Sequence, residues 1–125
     1  MKEEEKNLLL KDLVCRLPYG VKIHKALYGA TTLSERDIES FRKGVDDILM
    51  PYLRPMSSMT EEERKEYKGF IVHREHVNAQ GQEWDIDCFC FGSVSRLIDW
   101  LNAHHFDYRN LIEKNLALEA PSGMY

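Results

Sequence analysis

The sequence predicts an α+β fold: an N-terminal helix, a small mostly antiparallel sheet and a C-terminal helix pair covering its apolar face. Three observations carry that prediction. Leu9, Leu10, Leu13, Val14 and Leu17 recur at helical spacing near the start. Two alternating runs flank Asn78-Ala79-Gln80-Gly81 like the arms of a hairpin. Val94, Leu97, Ile98 and Leu101 return to helical spacing near the end. At 125 residues, with 43% hydrophobic and 30% charged residues, the chain reads as one globular domain over 1–125.

The first helix is expected over about Lys2 to Leu17. Glu3, Glu4 and Glu5 suit its positive end, and Lys6, Lys11, Asp12 and Cys15 lie off the apolar face. Pro18-Tyr19-Gly20 ends it, because proline cannot continue a helix and glycine frees the turn. Val21, Ile23 and Leu27 then alternate with Lys22, His24 and Ala26, the pattern of a half-buried strand. Residues 29–50 admit two readings. Ser34 with Asp37 caps a helix carrying Ile38 and Phe41, or the stretch is an irregular strand pair turning near Gly44. Its apolar pairs are too thinly spread for a helical stripe, which favours strands.

Pro51 and Pro55 exclude a helix interior and a central strand, leaving an extended edge or crossing segment. Thr60-Glu61-Glu62-Glu63 has the capping-box pattern, so a short polar helix is expected from Glu61 to Lys68 on the surface. With 78–81 as the loop, Val77 faces Gln82, Glu75 faces Trp84, His73 faces Ile86 and Ile71 faces Cys88 on a core face. The opposite face then pairs His76 with Glu83 and Arg74 with Asp85, mildly favourable charge pairs. Gly92-Ser93 opens the next helix, ending near His104 or His105. Asp107 can cap a second short helix with Tyr108, Leu111 and Ile112 on its buried side. Asn115 suits a left-handed terminus, and the tail from Leu116, with Pro121 and Gly123, should be extended.

Composition narrows the function. Lys+Arg is 17 against 21 Asp+Glu, a net charge of −4, which disfavours bulk attraction to nucleic acid. The acids come first at the N-terminus and Leu8–Leu10 is too short for a signal sequence or a membrane span. Three cysteines, Cys15, Cys88 and Cys90, make an odd count that fits a reducing interior, so a cytoplasmic protein with free thiols is expected, as a monomer or homodimer.

Each chemical constellation meets a structural objection. His73, Cys88, Cys90 and His104 are the metal candidates. His73 and His76 are three apart in a strand and point to opposite faces, and Cys88 and Cys90 share an apolar face where cysteine acts as a small hydrophobe. His104 and His105 diverge by about 100° on a helix, where a capping role suffices. Cys15 has only Lys11 as a nearby cation to activate it. The helix–turn–helix spacing of 94–115 lacks a basic face, and no phosphate-binding glycine motif is present. No cofactor is therefore expected. The residue types favoured at protein interfaces are Tyr52, Arg54, Trp100, Tyr108 and Arg109, with the proline-bracketed Tyr52–Arg54 stretch offering an edge to a partner strand.

Four stretches, LLLKDLVCRLPYG (8–20), PYLRPMSSMTEEE (51–63), DWLNAHHFDYRNLI (99–112) and EKNLALEAPSGMY (113–125), resemble a family of small uncharacterised proteins of gut-dwelling anaerobic bacteria. Genes of that family often lie near mobile or phage-derived genes. The family usually has glycine where this chain has Asn110 and Asn115, and its first-helix cysteine falls at the position of Val14. The resemblance implies no activity. The expectation is a non-enzymatic accessory or protein-interaction protein with an unidentified partner. The alternatives are a nucleic-acid-associated regulator of a mobile element and a small metal-dependent or hydrolytic enzyme.

Overall fold

The computed structural model describes residues 2–25, 29–44, 49–70, 72–77, 83–88 and 91–125, with the side chains of 72–77, 83–88 and 91–93 left aside. These residues fall into two compact units, Met1–Ser58 with Leu101–Tyr125, and Met59–Trp100.

The first unit begins with α1 (Glu3–Arg16), its first turn acidic as the helix dipole favours. A 3-10 turn over Leu17–Tyr19 follows, and Gly20 at φ 71° takes the left-handed position that releases the chain. The buried face of α1 differs from the apolar stripe. Leu9, Asp12, Leu13 and Arg16 are buried, while Val14 is 55% exposed. The face has rotated toward two charged residues because those charges find partners inside.

Strand β1 (Lys22–Lys25) pairs antiparallel with β2 (Gly29–Thr32) on one side and β3 (Leu49–Leu53) on the other. Strand β6 (Leu118–Glu119) pairs parallel with β3, giving the order β2-β1-β3-β6. The α+β class is as expected, and this sheet is mixed. Proline-containing β3 lies inside the sheet, against the expectation of an edge. The reason lies in which backbone groups of β3 face β6. The Ala120 amide donates to the Leu53 carbonyl at 2.8 Å, so odd-numbered groups of β3 face β6. The β6 pairing starts only at Tyr52, one residue beyond Pro51, so the missing N–H of Pro51 interrupts little of the ladder.

Between β2 and β3 the chain forms α2 (Glu35–Arg42), not the favoured strand pair. Ser34 and Asp37 make a reciprocal capping box, and Phe41 is buried in the core with Ile38 packed against it. The cap and two apolar contacts sufficed where the stripe was thin. The core of this unit joins Leu9 and Leu13 of α1, Val21, Ile23, Leu33, Phe41, Leu49 and Leu53, and closes with Leu111, Leu116 and Ala117.

One end of the β1–β3 ladder is completed by a side chain. Continuing the register would set Lys22 opposite Tyr52. Instead the Lys22 amide donates to the Tyr125 hydroxyl at 2.8 Å, and that hydroxyl donates to the Tyr52 carbonyl at 2.7 Å. The phenol thus relays a bond the two strands do not make directly.

The second unit contains α3 (Glu61–Lys68), β4 (Val72–Val77), β5 (Glu83–Cys88) and most of α4 (Phe91–Ala103). The predicted capping box is present: the Thr60 side chain accepts from the Glu63 amide, the Glu63 carboxylate accepts from the Thr60 amide, and no residue of α3 is buried. β4 and β5 pair antiparallel, but one residue off the expected register. Val77 meets Glu83, His76 meets Trp84, Arg74 meets Ile86 and Val72 meets Cys88. Five residues rather than four separate the arms. A one-residue slip changes every cross-strand partner, and matched surface charges are too weak to set the register.

The expected second C-terminal helix is absent among the described residues; turns follow α4 instead. Asp107 does not cap a helix: its oxygens accept from the Leu111 amide at 2.8 Å and the Ile112 amide at 3.0 Å, four and five residues on, and so tie a turn. His105, Asn110 and Asn115 take φ of 62°, 58° and 60°, and repeated left-handed residues cannot propagate a helix. Asn115 is left-handed as its position suggested. Among the described residues, no helix is long and apolar enough to cross a membrane.

Candidate interaction surface

The five interface-type residues are not gathered into one patch. Tyr52 stands edge-on to His24, ring centroids 6.3 Å apart at 88°, with its hydroxyl 3.3 Å from Nδ1. Arg54 continues past β3 as a parallel bridge to Phe106. Its amide donates to the His105 carbonyl and its carbonyl accepts from the Asp107 amide, both at 2.8 Å. Its guanidinium stacks 4.3 Å above the Phe106 ring and donates to the Ser58 carbonyl at 3.2 Å. The Tyr52–Arg54 segment is therefore paired on both sides, and the edge expected there is occupied.

Tyr108 donates to Asn102 Oδ1 at 2.8 Å, with Arg16 and Arg109 lying 5.1 and 5.2 Å from its ring. Trp100 belongs to the second unit. Its indole N–H donates to Glu66 at 2.8 Å, and its ring packs against Tyr67 and Phe70 at 6.3 and 6.1 Å.

Sequence reasoning missed the polar centre of the first unit. Asp12 and Arg16 are both 0% exposed, and Arg16 Nε donates to Asp12 Oδ2 at 2.7 Å. Arg16 Nη2 donates to the Phe106 carbonyl at 2.7 Å. Arg109 Nε lies 3.2 Å from the other Asp12 oxygen, an ion pair without hydrogen-bond alignment. One carboxylate thus sits between two guanidiniums. His105 stacks on Tyr125, centroids 3.7 Å apart. Burial, with Arg16, His104 and Arg54 adding positive potential, pushes the His105 pKa down to about 4. The available signal was the i, i+4 spacing of Asp12 and Arg16, which shows that they can pair but not where.

Among the described residues the first sheet ends in β2 on one side and the two-residue β6 on the other, and β2 presents the longer edge. Gly29, Ala30 and Thr32 are exposed and Thr31 is half-buried. The Leu33 amide donates to the Val21 carbonyl, so odd positions bond β1 and the backbone groups of Ala30 and Thr32 face outward. Glycine, alanine and threonine give this edge no charge and no proline, two devices by which exposed edges are usually blunted.

A separate pocket of about 240 Å³ lies beyond the end of β3, lined by Pro55, Met56, Asp107, Asn110, Ile112 and Glu113.

The metal candidates fall in different parts of the chain. His73 pairs with Asp87 and Cys88 with Val72 in the β4–β5 ladder. Cys90 lies outside the described residues, and His104 stacks on Phe106 in the first unit. Among the described residues, no three His, Cys, Asp or Glu side chains are placed to hold a metal ion. Cys15 is a free, half-buried thiol. Comparison with protein-family models, curated proteins and solved structures gives no match.

Proposed function

We propose that the chain is a non-enzymatic protein-interaction module whose partner adds a strand to β2. The observation that carries this reading is the outward-facing, uncharged backbone edge at Ala30 and Thr32. Strand addition uses main-chain hydrogen bonds for affinity and leaves specificity to alternate side chains. It needs no cluster of reactive groups, and a four-residue edge suits a regulated contact rather than a permanent interface. Tyr52, Arg54, Tyr108 and Arg109 serve this function indirectly, by fixing the unit that holds the edge.

The test uses the full chain and a partner recovered from cell extract. Hydrogen exchange on the complex should show new protection at the amides of Ala30 and Thr32. Ala30→Pro removes an outward N–H while leaving the bonds to β1, so it should abolish capture without unfolding the protein. A partner that leaves both amides exchanging freely, or that still binds the proline variant, would refute strand addition.

A further inference from the structure

We propose that the pocket beyond β3 receives a single lysine or arginine side chain of a polypeptide ligand. This goes beyond the edge-strand reading, since β2 and the β3 terminus are separate places in the sheet order.

The size fits one long side chain. About 240 Å³ is smaller than the roughly 300–1,000 Å³ of sites that enclose a whole small molecule. The lining divides into two chemistries. Pro55, Met56 and Ile112 offer apolar surface for an aliphatic stem, and the exposed Glu113 offers a carboxylate for a cationic head, with the buried, amide-bonded Asp107 adding negative potential behind it. Among the described residues, no lysine or arginine contributes to the lining. The neighbouring Arg54 is engaged with the Phe106 ring and the Ser58 carbonyl, and Arg109 with Asp12.

The wall is also fixed in advance. Asp107 is pinned by the Leu111 and Ile112 amides, and Asn110, in the left-handed region, sets the direction of the turn between them. Preorganisation lowers the ordering cost of binding. The other cavity of note, over α2, has no such polarity. Glu35 and Glu39 there are balanced by Arg36 and Lys43, and Glu39 already pairs with Arg42 and Lys43.

The test is an NMR titration of the full chain with an acetylated, amidated Gly-Lys-Gly peptide and its norleucine counterpart. The lysine peptide should shift the amides of Met56, Asn110, Ile112 and Glu113 saturably, and the norleucine peptide should bind roughly tenfold more weakly. Glu113 is exposed, so Glu113→Lys should leave the fold intact and weaken the lysine peptide by about the same factor. Ala30→Pro should bind it unchanged, which separates failure here from failure of the edge-strand reading. Equal binding of the two peptides, undiminished binding by Glu113→Lys, or no saturable shift at millimolar peptide would overturn the proposal.

Discussion

Helices α1 and α2 each carry a local acid–base pair, and the two pairs live in opposite surroundings. Asp12 and Arg16 are completely buried, and they recruit Arg109 and the Phe106 carbonyl from the other end of the chain. Glu39 and Arg42 are 47% and 62% exposed, and Lys43 lies 3.5 Å from the same Glu39 carboxylate. Spacing along a helix decides whether two charges can meet. Partners far away in sequence decide whether meeting matters, because a buried pair stands or falls with every group around it.

Breaking the buried pair is the most severe challenge to this contrast. Asp12→Ala leaves Arg16 and Arg109 without their shared carboxylate and should cost about 3–5 kcal/mol in urea denaturation. The double change Asp12→Leu with Arg16→Met removes the charge pair together and should cost less than Asp12→Ala alone. A double variant as damaging as the single one would show that the cost comes from shape rather than charge.

A smaller effect should appear with pH. His105 beside this cluster is held at a pKa of about 4 against an ordinary 6.5, and its Nδ1 is buried without a hydrogen-bond partner among the described residues. Between those values the unfolded chain binds a proton that the folded chain refuses. Stability contributed by neutral His105 is therefore full above about 6.5 and is lost as pH falls toward 4. Urea midpoints measured across that window should decline in the native chain and flatten in His105→Asn, a residue that tolerates the left-handed backbone. Asp37 adds to acid sensitivity further down. Burial raises its carboxyl, but bonds from Lys25 and Ser34 outweigh this and set it below the ordinary range.

The smallest effect belongs to the exposed pair. Glu39→Ala should leave the denaturation midpoint unchanged within error, since screened surface pairs contribute little. A clear loss there would erase the distinction between the two helices.

Legibility in the sequence follows the same line. Signals confined to a few residues read correctly: the acids opening α1, the Pro18-Gly20 stop, the Thr60–Glu63 cap and the presence of α4, though Val94 of its stripe is exposed. The Ser34–Asp37 cap is equally local, and with Phe41 and Ile38 it anchors a helix whose apolar stripe is too thin to predict one. Features set by distant partners did not read. The buried face of α1 depends on Phe106, 90 residues from Arg16. The inner position of β3 depends on β6, and the hairpin register depends on the length of its connection. The open edge at β2 could be recognised only once β3 was known to be covered.

The relay through Tyr125 also bears on the order in which the first sheet assembles. The Lys22 amide waits for a group 103 residues further along the chain. The opposite end of the same ladder, Lys25 with Leu49, needs far less chain to be in place. Short closures precede long ones because they cost less entropy. During synthesis, β1 and β3 are thus expected to zip from the Lys25 end toward Lys22. Water serves the last amide and the Tyr52 carbonyl until residue 125 arrives to take its place.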